Sequence, residues 1–134
     1  MMSKKITIDG KEYEISCNAY TRFQYKKIFG TGLMADVQKL ADLSTKQDEL
    51  RKELKKKKLT DEEIEKEVNS RFIGDIDEFI DVIEKMAYIL VYTANPNCGT
   101  FEDFLKGIET IDLSSNWVSE VTETAVSSFR WWWT

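Results

Sequence analysis

The sequence predicts a mainly α protein, α+β in class, with a multi-helix body, an N-terminal β-hairpin and a charged helical hairpin. Three observations carry that expectation. Alternation with period two is sustained only between Ile6 and Ile15, whereas apolar residues recur at three- and four-residue spacing through most of the remainder. The chain has 134 residues, long enough to bury roughly two thirds of its unfolded surface around one core. Its 42% hydrophobic and 32% charged residues suit a folded, well-solvated globule. The expectation is therefore a single domain over residues 1–134.

Taken in order, Ile6-Thr7-Ile8, Asp9-Gly10 and Lys11–Ser16 form the hairpin. Asp-Gly supplies the positive φ of a tight type I′ turn, and Ile6, Ile8, Tyr13 and Ile15 alternate with polar residues. Two strands are marginal alone, so this pair needs a packing partner. Asn18 reads as the N-cap of the first helix, whose spaced residues are Ala19, Phe23, Lys26, Lys27 and Ile28 before Gly30-Thr31-Gly32 stops it. That Gly-x-Gly follows a helix rather than a strand, so it reads as a C-cap and not as a phosphate cradle.

A second helix opens at Leu33 with Met34, Val37, Leu40 and Ala41, and its apolar stripe then thins through Leu43, Leu50 and Leu54. Residues 45–71 hold few other apolar points: Leu59, Ile64 and Val68. Arg51–Lys58 has six bases against one acid, a net charge of +5 that leaves −10 for the rest of the chain. Thr60 with Glu63 is a capping box that opens the next helix. Bases ending one helix and acids beginning the next match two helix dipoles meeting at a turn. The segment 45–71 is thus expected to be a charged helical hairpin projecting from the body, with Arg51–Lys58 at its tip.

Asp75–Ala94 reads as the core helix. Ile76, Phe79, Ile80, Ile83, Met86, Ala87, Leu90, Val91 and Ala94 keep one wide apolar face, and Val82 and Ile89 add a second flank. Asn95-Pro96-Asn97 ends it. Thr100 and Asp103 make another capping box, opening Phe101, Phe104, Leu105, Ile108 and Ile111. Ser114-Ser115-Asn116 caps a last helix carrying Trp117, Val118, Val121, Ala125 and Phe129. The Trp-rich tail spans residues 130–134.

Composition closes several function classes. The 19 basic and 24 acidic residues give a net charge of −5, which argues against nucleic acid as a general partner, because phosphate affinity comes from a basic surface. With no histidine, the chain has no Ser-His-Asp or Cys-His nucleophile and no imidazole metal ligand. Cys17 and Cys98 are too few for a disulfide framework or zinc ribbon, and Cys17 reads as a small buried thiol. No signal peptide is visible, and the most apolar stretch, Met86–Tyr92, is far short of the ~20 residues that span a bilayer. Asp77, Asp81 and Glu84 share one helical face that suits Mg²⁺ in principle, but acids early in a helix and opposite its core stripe more simply meet solvent. No catalytic residue, metal site or cofactor is therefore expected. Tyr20, Phe23, Tyr25 and Phe29 are expected in the core rather than stacked on bases.

The C-terminus departs from this pattern. Trp131, Trp132 and Trp133 are consecutive, so on a helix or strand they point in several directions and one core cannot cover them all. Tryptophan is enriched at binding hot spots. With Trp117 and Phe129 they make up the candidate partner-binding set, against a tail that folds back on the domain.

Several segments together carry a resemblance. Ile6–Tyr13 leads to Asn18-Ala19, Phe23 and the Phe29-Gly30 stop, followed later by Met86–Leu90 and then by Trp117–Val121 running into Ala125–Phe129. Their order resembles the tail assembly chaperones of long-tailed phages and prophages of Gram-positive bacteria, over most of the chain outside 45–71. The resemblance implies a non-enzymatic protein that binds the tape measure protein, keeps its helices soluble and recruits tail tube protein. It implies action in the cytoplasm of the bacterial host, absence from the mature virion, and in many members a longer frameshifted form. Homo-oligomerisation is left open, and no binding residue carries over, because the family has no sharp interaction motif. The runner-up is a small phage regulatory or nucleic-acid-associated protein using the basic run 51–58.

Overall fold

The computed structural model describes residues 2–127. Strands β1 (Met2–Ile8) and β2 (Lys11–Cys17) precede helices α1 (Ala19–Phe29), α2 (Leu33–Lys56), α3 (Asp61–Phe72), α4 (Ile76–Ala94), α5 (Phe101–Lys106) and α6 (Asn116–Val126). A 3₁₀ turn, Ile73–Asp75, leads into α4. The chain is mainly helical with an N-terminal antiparallel hairpin, as the patterning predicts. It divides into two compact units, Met1–Met34 with Ile83–Thr134, and Ala35–Val82, and the divisions fall inside α2 and α4.

In the first unit the hairpin turns at Asp9 (φ 53°) and Gly10 (φ 79°), two successive residues in the left-handed region. The register pairs Ile6 with Tyr13 and Ile8 with Lys11, which puts Ile6, Ile8 and Ile15 on the buried face. Helix α6 packs on both strands. Its Trp117, Val121 and Ala125 are buried, spaced four apart on one side of the helix. An ion pair between Lys4 and Glu120 and a 2.9 Å bond from the Glu109 amide to Asp9 Oδ2 hold the hairpin at its edge and its turn. Within α4, Met86 to Val91 are all buried, so this helix is enclosed on every side, as its second apolar flank predicts.

Helix α1 reverses an expectation. Ala19, Tyr20, Phe23 and Ile28 are exposed, and Thr21 and Tyr25 face the core instead. The buried side carries a polar bond to α4 as well as the Tyr25 ring, which packs on Phe29. Asn18 Oδ1 accepts from the amides of Tyr20 and Thr21, and Thr21 Oγ1 accepts from Asn18 N at 3.0 Å. The Thr93 hydroxyl donates to Ile89 O (2.8 Å), so the Thr21 hydroxyl donates to Thr93 Oγ1 at 2.9 Å and points α1's Thr21 side at α4. Tyr25 follows, one turn on.

The second unit has its own small core. Leu50 and Leu54 of α2 meet Ile64 and Val68 of α3, with Leu59 and Phe72 packed against them. Each pair is spaced four residues apart, so two narrow stripes close on each other. The stripe read as thinning toward solvent is therefore a buried seam, and only the other faces of 45–71 are solvated. Thr60 and Glu63 form the predicted capping box. Lys58 (φ 61°) makes the turn between the two helices. Two further details differ from the sequence reading. Helix α4 begins at Ile76, which is exposed rather than core, and α5 stops at Lys106, leaving Ile108 and Ile111 in the following loop.

Candidate interaction surfaces

The first unit's core is organised around Tyr88. Its ring lies 5.5 Å from Phe101, 5.7 Å from Phe104 and 6.3 Å from Phe29, mostly edge to face. Tyr25 and Tyr13 extend the cluster through Phe29 and Phe104. The Tyr88 hydroxyl donates to Gly99 O at 2.7 Å, and burial, with smaller contributions from Cys98, Tyr92 and Asp103, pushes its pKa up to about 12. It stays a neutral donor at physiological pH.

Beside this cluster is an open cleft of about 510 Å³, lined by Lys11, Tyr13, Cys98, Asp103 and Phe104 among others. Its chemistry is subdued. Burial raises the Cys98 thiol above its ordinary pKa, which disfavours the thiolate, the form that attacks carbon or binds metal. Asp103 is engaged in the α5 capping box with Thr100. Cys17 is buried, as predicted, with its thiol 3.7 Å from Ala125 O. Among the described residues, no three cysteine or carboxylate side chains are grouped to hold a metal ion. No helix among them is long and apolar enough to cross a membrane.

The exposed large apolar side chains lie elsewhere. On α1, Tyr20 (50% exposed) and Phe23 (60% exposed) stand outward with ring centroids 5.6 Å apart. Arg22, Lys26 and Lys27 surround them, and among the described residues these three cations form no ion pair. Tyr20 also borders a groove of about 280 Å³ with Gln24, Tyr92, Thr93 and Pro96. In the second unit, Ile73 (70% exposed) and Ile76 (37% exposed) are outward apolar residues, and Asp77, Glu78 and Asp81 are at the surface on other sides of α4. Sequence reasoning missed both patches because helical spacing assigned Phe23 and Ile76 to core stripes. Only the rotation of each helix separates a core residue from an outward one.

The basic run is exposed at Lys52 and at Lys55–Lys58, with Leu54 turned into the seam. Arg51 is the exception among its bases. Its guanidinium donates to Glu65 Oε1 at 2.8 Å and to Asp48 Oδ1 at 3.0 Å, and the bond to Glu65 raises its pKa further. Of the candidate partner-binding residues, Trp117 is only 5% exposed and packs in the core with Val121. Phe129, Trp131, Trp132 and Trp133 lie outside the described residues. No protein family model, curated protein or solved structure matches the chain.

Proposed function

We propose that this protein is a tail assembly chaperone of a phage or prophage, one that binds the tape measure protein and promotes tail tube assembly without catalysing a reaction. The observation that carries the reading is the order of elements: a hairpin from residues 2–17, a capped helix stopped at Gly30, an enclosed helix through 86–91 and a last helix from Asn116. That order aligns with the segments on which the resemblance rests. Physical logic supports it too. A tape measure is a long helical chain prone to aggregate through apolar stripes, and a small acidic helical protein can cover such stripes while its charge keeps the complex dispersed. The test is co-expression with a tape measure protein from the same genome. The chaperone should raise its soluble fraction severalfold and co-purify with it. A tape measure that stays insoluble, or soluble but unbound, overturns the proposal.

A second reading draws on the five exposed lysines at 52 and 55–58, which form no ion pair among the described residues. They would dock a nucleic acid through its phosphates. Salt separates the two. Phosphate binding falls steeply between low and moderate salt, because each contact releases condensed counterions, whereas capture of an apolar helix does not.

A further inference from the structure

Strand β2 has a free edge that opens on the cleft beside the Tyr88 cluster. Among the described residues the sheet consists of β1 and β2 alone. In a hairpin with a two-residue turn, the flanking pair, Ile8 and Lys11, exchanges both main-chain bonds, and bonded and non-bonded pairs then alternate along the ladder. Glu12 and Glu14 fall in the non-bonded pairs, opposite Thr7 and Lys5. Their N–H and C=O groups therefore point away from β1, and they form no hydrogen bond among the described residues. Residues 11–14 line the cleft of about 510 Å³, as do Val91 of α4 and Phe104 of α5, both buried. Tyr13 shares the inner face of the sheet with Ile6, and its ring lies 5.5 Å from Phe104, so Glu12 and Glu14 project from the outer face. Three exposed carboxylates line the cleft, Glu12, Glu14 and Asp103, against one cation, Lys11, whose Nζ lies 5.6 Å from the centre of the Tyr13 ring. Glu12 is shared with Lys5 at 3.7 Å, while Glu14 and Asp103 form no ion pair among the described residues.

We propose that an extended segment of a partner protein, with lysine or arginine alternating with aliphatic side chains, adds to β2 as a third strand and fills this cleft. An unpaired strand edge is a template for another strand. Main-chain bonds to Glu12 and Glu14 supply the affinity, and the alternate side chains supply the choice of partner. The alternation follows from the pleat. Partner residues opposite Glu12 and Glu14 project from the outer face, where a cation meets each carboxylate. The partner residue between them projects inward beside Tyr13, where Val91 and Phe104 suit an aliphatic side chain. The β2 edge of a second copy does not fit, because it would set Glu12 and Glu14 against their own equivalents, and like charges directly opposite repel. The edge of β1 is less open, since the Lys4–Glu120 ion pair ties that strand to α6. The inference stands apart from the chaperone reading, which concerns the capture of helices.

Titration of the full chain with a capped octapeptide of alternating lysine and valine, followed by calorimetry and amide exchange, tests it. The peptide should bind saturably and slow exchange at the Glu12 and Glu14 amides by about tenfold or more. The same peptide methylated on its lysine main-chain nitrogens keeps its charge but loses the donors that face β2, and should bind at least about tenfold more weakly. An octapeptide of alternating glutamate and valine should be weaker by a similar factor. Glu12→Lys with Glu14→Lys should reverse the preference, so that the glutamate peptide binds more tightly than the lysine one. Both positions are exposed, and circular dichroism checks that the variant remains folded. The peptide comparisons on the unaltered chain stand whether or not it does. A lysine–valine peptide that fails to bind, that binds equally well when methylated, or that protects Ser3, Lys5 and Thr7 in place of Glu12 and Glu14 overturns the inference. So does a folded double variant that keeps the original preference. Protection of Glu12 and Glu14 without peptide, together with a rise in mass by sedimentation, also overturns it, since that makes a second copy the occupant.

Discussion

Two buried threonines in the first unit should respond to the same substitution with opposite signs. Thr21 is 1% exposed and its hydroxyl is fully used, accepting from Asn18 N and donating to Thr93 Oγ1. Thr21→Val keeps the shape and removes both bonds. Each lost hydrogen bond costs about 1 kcal/mol, so the expected loss is ~2 kcal/mol. Thr124 is 6% exposed, and its hydroxyl has no hydrogen-bond partner among the described residues. There valine removes an uncompensated polar group and leaves the volume filled, for a gain of about 0.5–1 kcal/mol. For a chain of this size, 1 kcal/mol moves the midpoint by roughly 3–5 °C. Thermal unfolding followed by circular dichroism should therefore show Thr21→Val melting several degrees lower and Thr124→Val a few degrees higher. Shifts in the same direction would refute the hydrogen-bond account of both sites. A destabilised Thr124→Val alone would show that its hydroxyl is satisfied.

In the second unit, Leu54→Ala opens the seam with Leu50, Ile64 and Val68 and should cost about 2–3 kcal/mol. Amide exchange across α3 should then speed up roughly 30- to 150-fold while residues 86–91 keep their protection, and an equal loss in both would show one cooperative unit instead of two. Replacing 45–71 with a short linker should leave the remainder unfolding cooperatively by calorimetry, and a molten remainder would make the segment part of its core. The Glu63 carboxyl is held below the usual glutamate range, chiefly by the Thr60 amide and then by its hydroxyl. The stabilisation from that lowered pKa is fully present above the ordinary glutamate pKa and is lost as pH falls through the lowered value; Glu63→Gln should remove this part of α3's acid sensitivity, read by amide exchange against pH. Removing 131–134 should weaken capture of the tape measure protein by about tenfold with little change in melting temperature, and loss of folding with capture intact would make the tail a structural strap.

The features that the amino-acid sequence determines by itself are local. Asp9-Gly10 specifies its turn because two successive positive φ values are cheap only for such residues, and both residues adopt them. Thr60 with Glu63 and Thr100 with Asp103 specify helix starts because their partners lie three residues apart in the chain. The enclosed stretch of α4 is legible because apolar residues fall on more than one flank. None of these features needs a distant contact to be defined.

Tertiary structure decides which side of each helix faces inward, and with it every surface open to a partner. Phe23 and Tyr25 are two residues apart and equally suited to a core, yet one is exposed and the other fully buried. The hydrogen bond between Thr21 and Thr93, 72 residues apart, and the packing of Tyr25 on Phe29 go with that choice. Likewise Leu50 and Leu54 look too sparse for a core until α3 folds back with Ile64 and Val68 spaced to meet them. A helical repeat sets the angles between side chains on one helix, but burial depends on the direction from which a second element arrives, and only the folded chain supplies that direction.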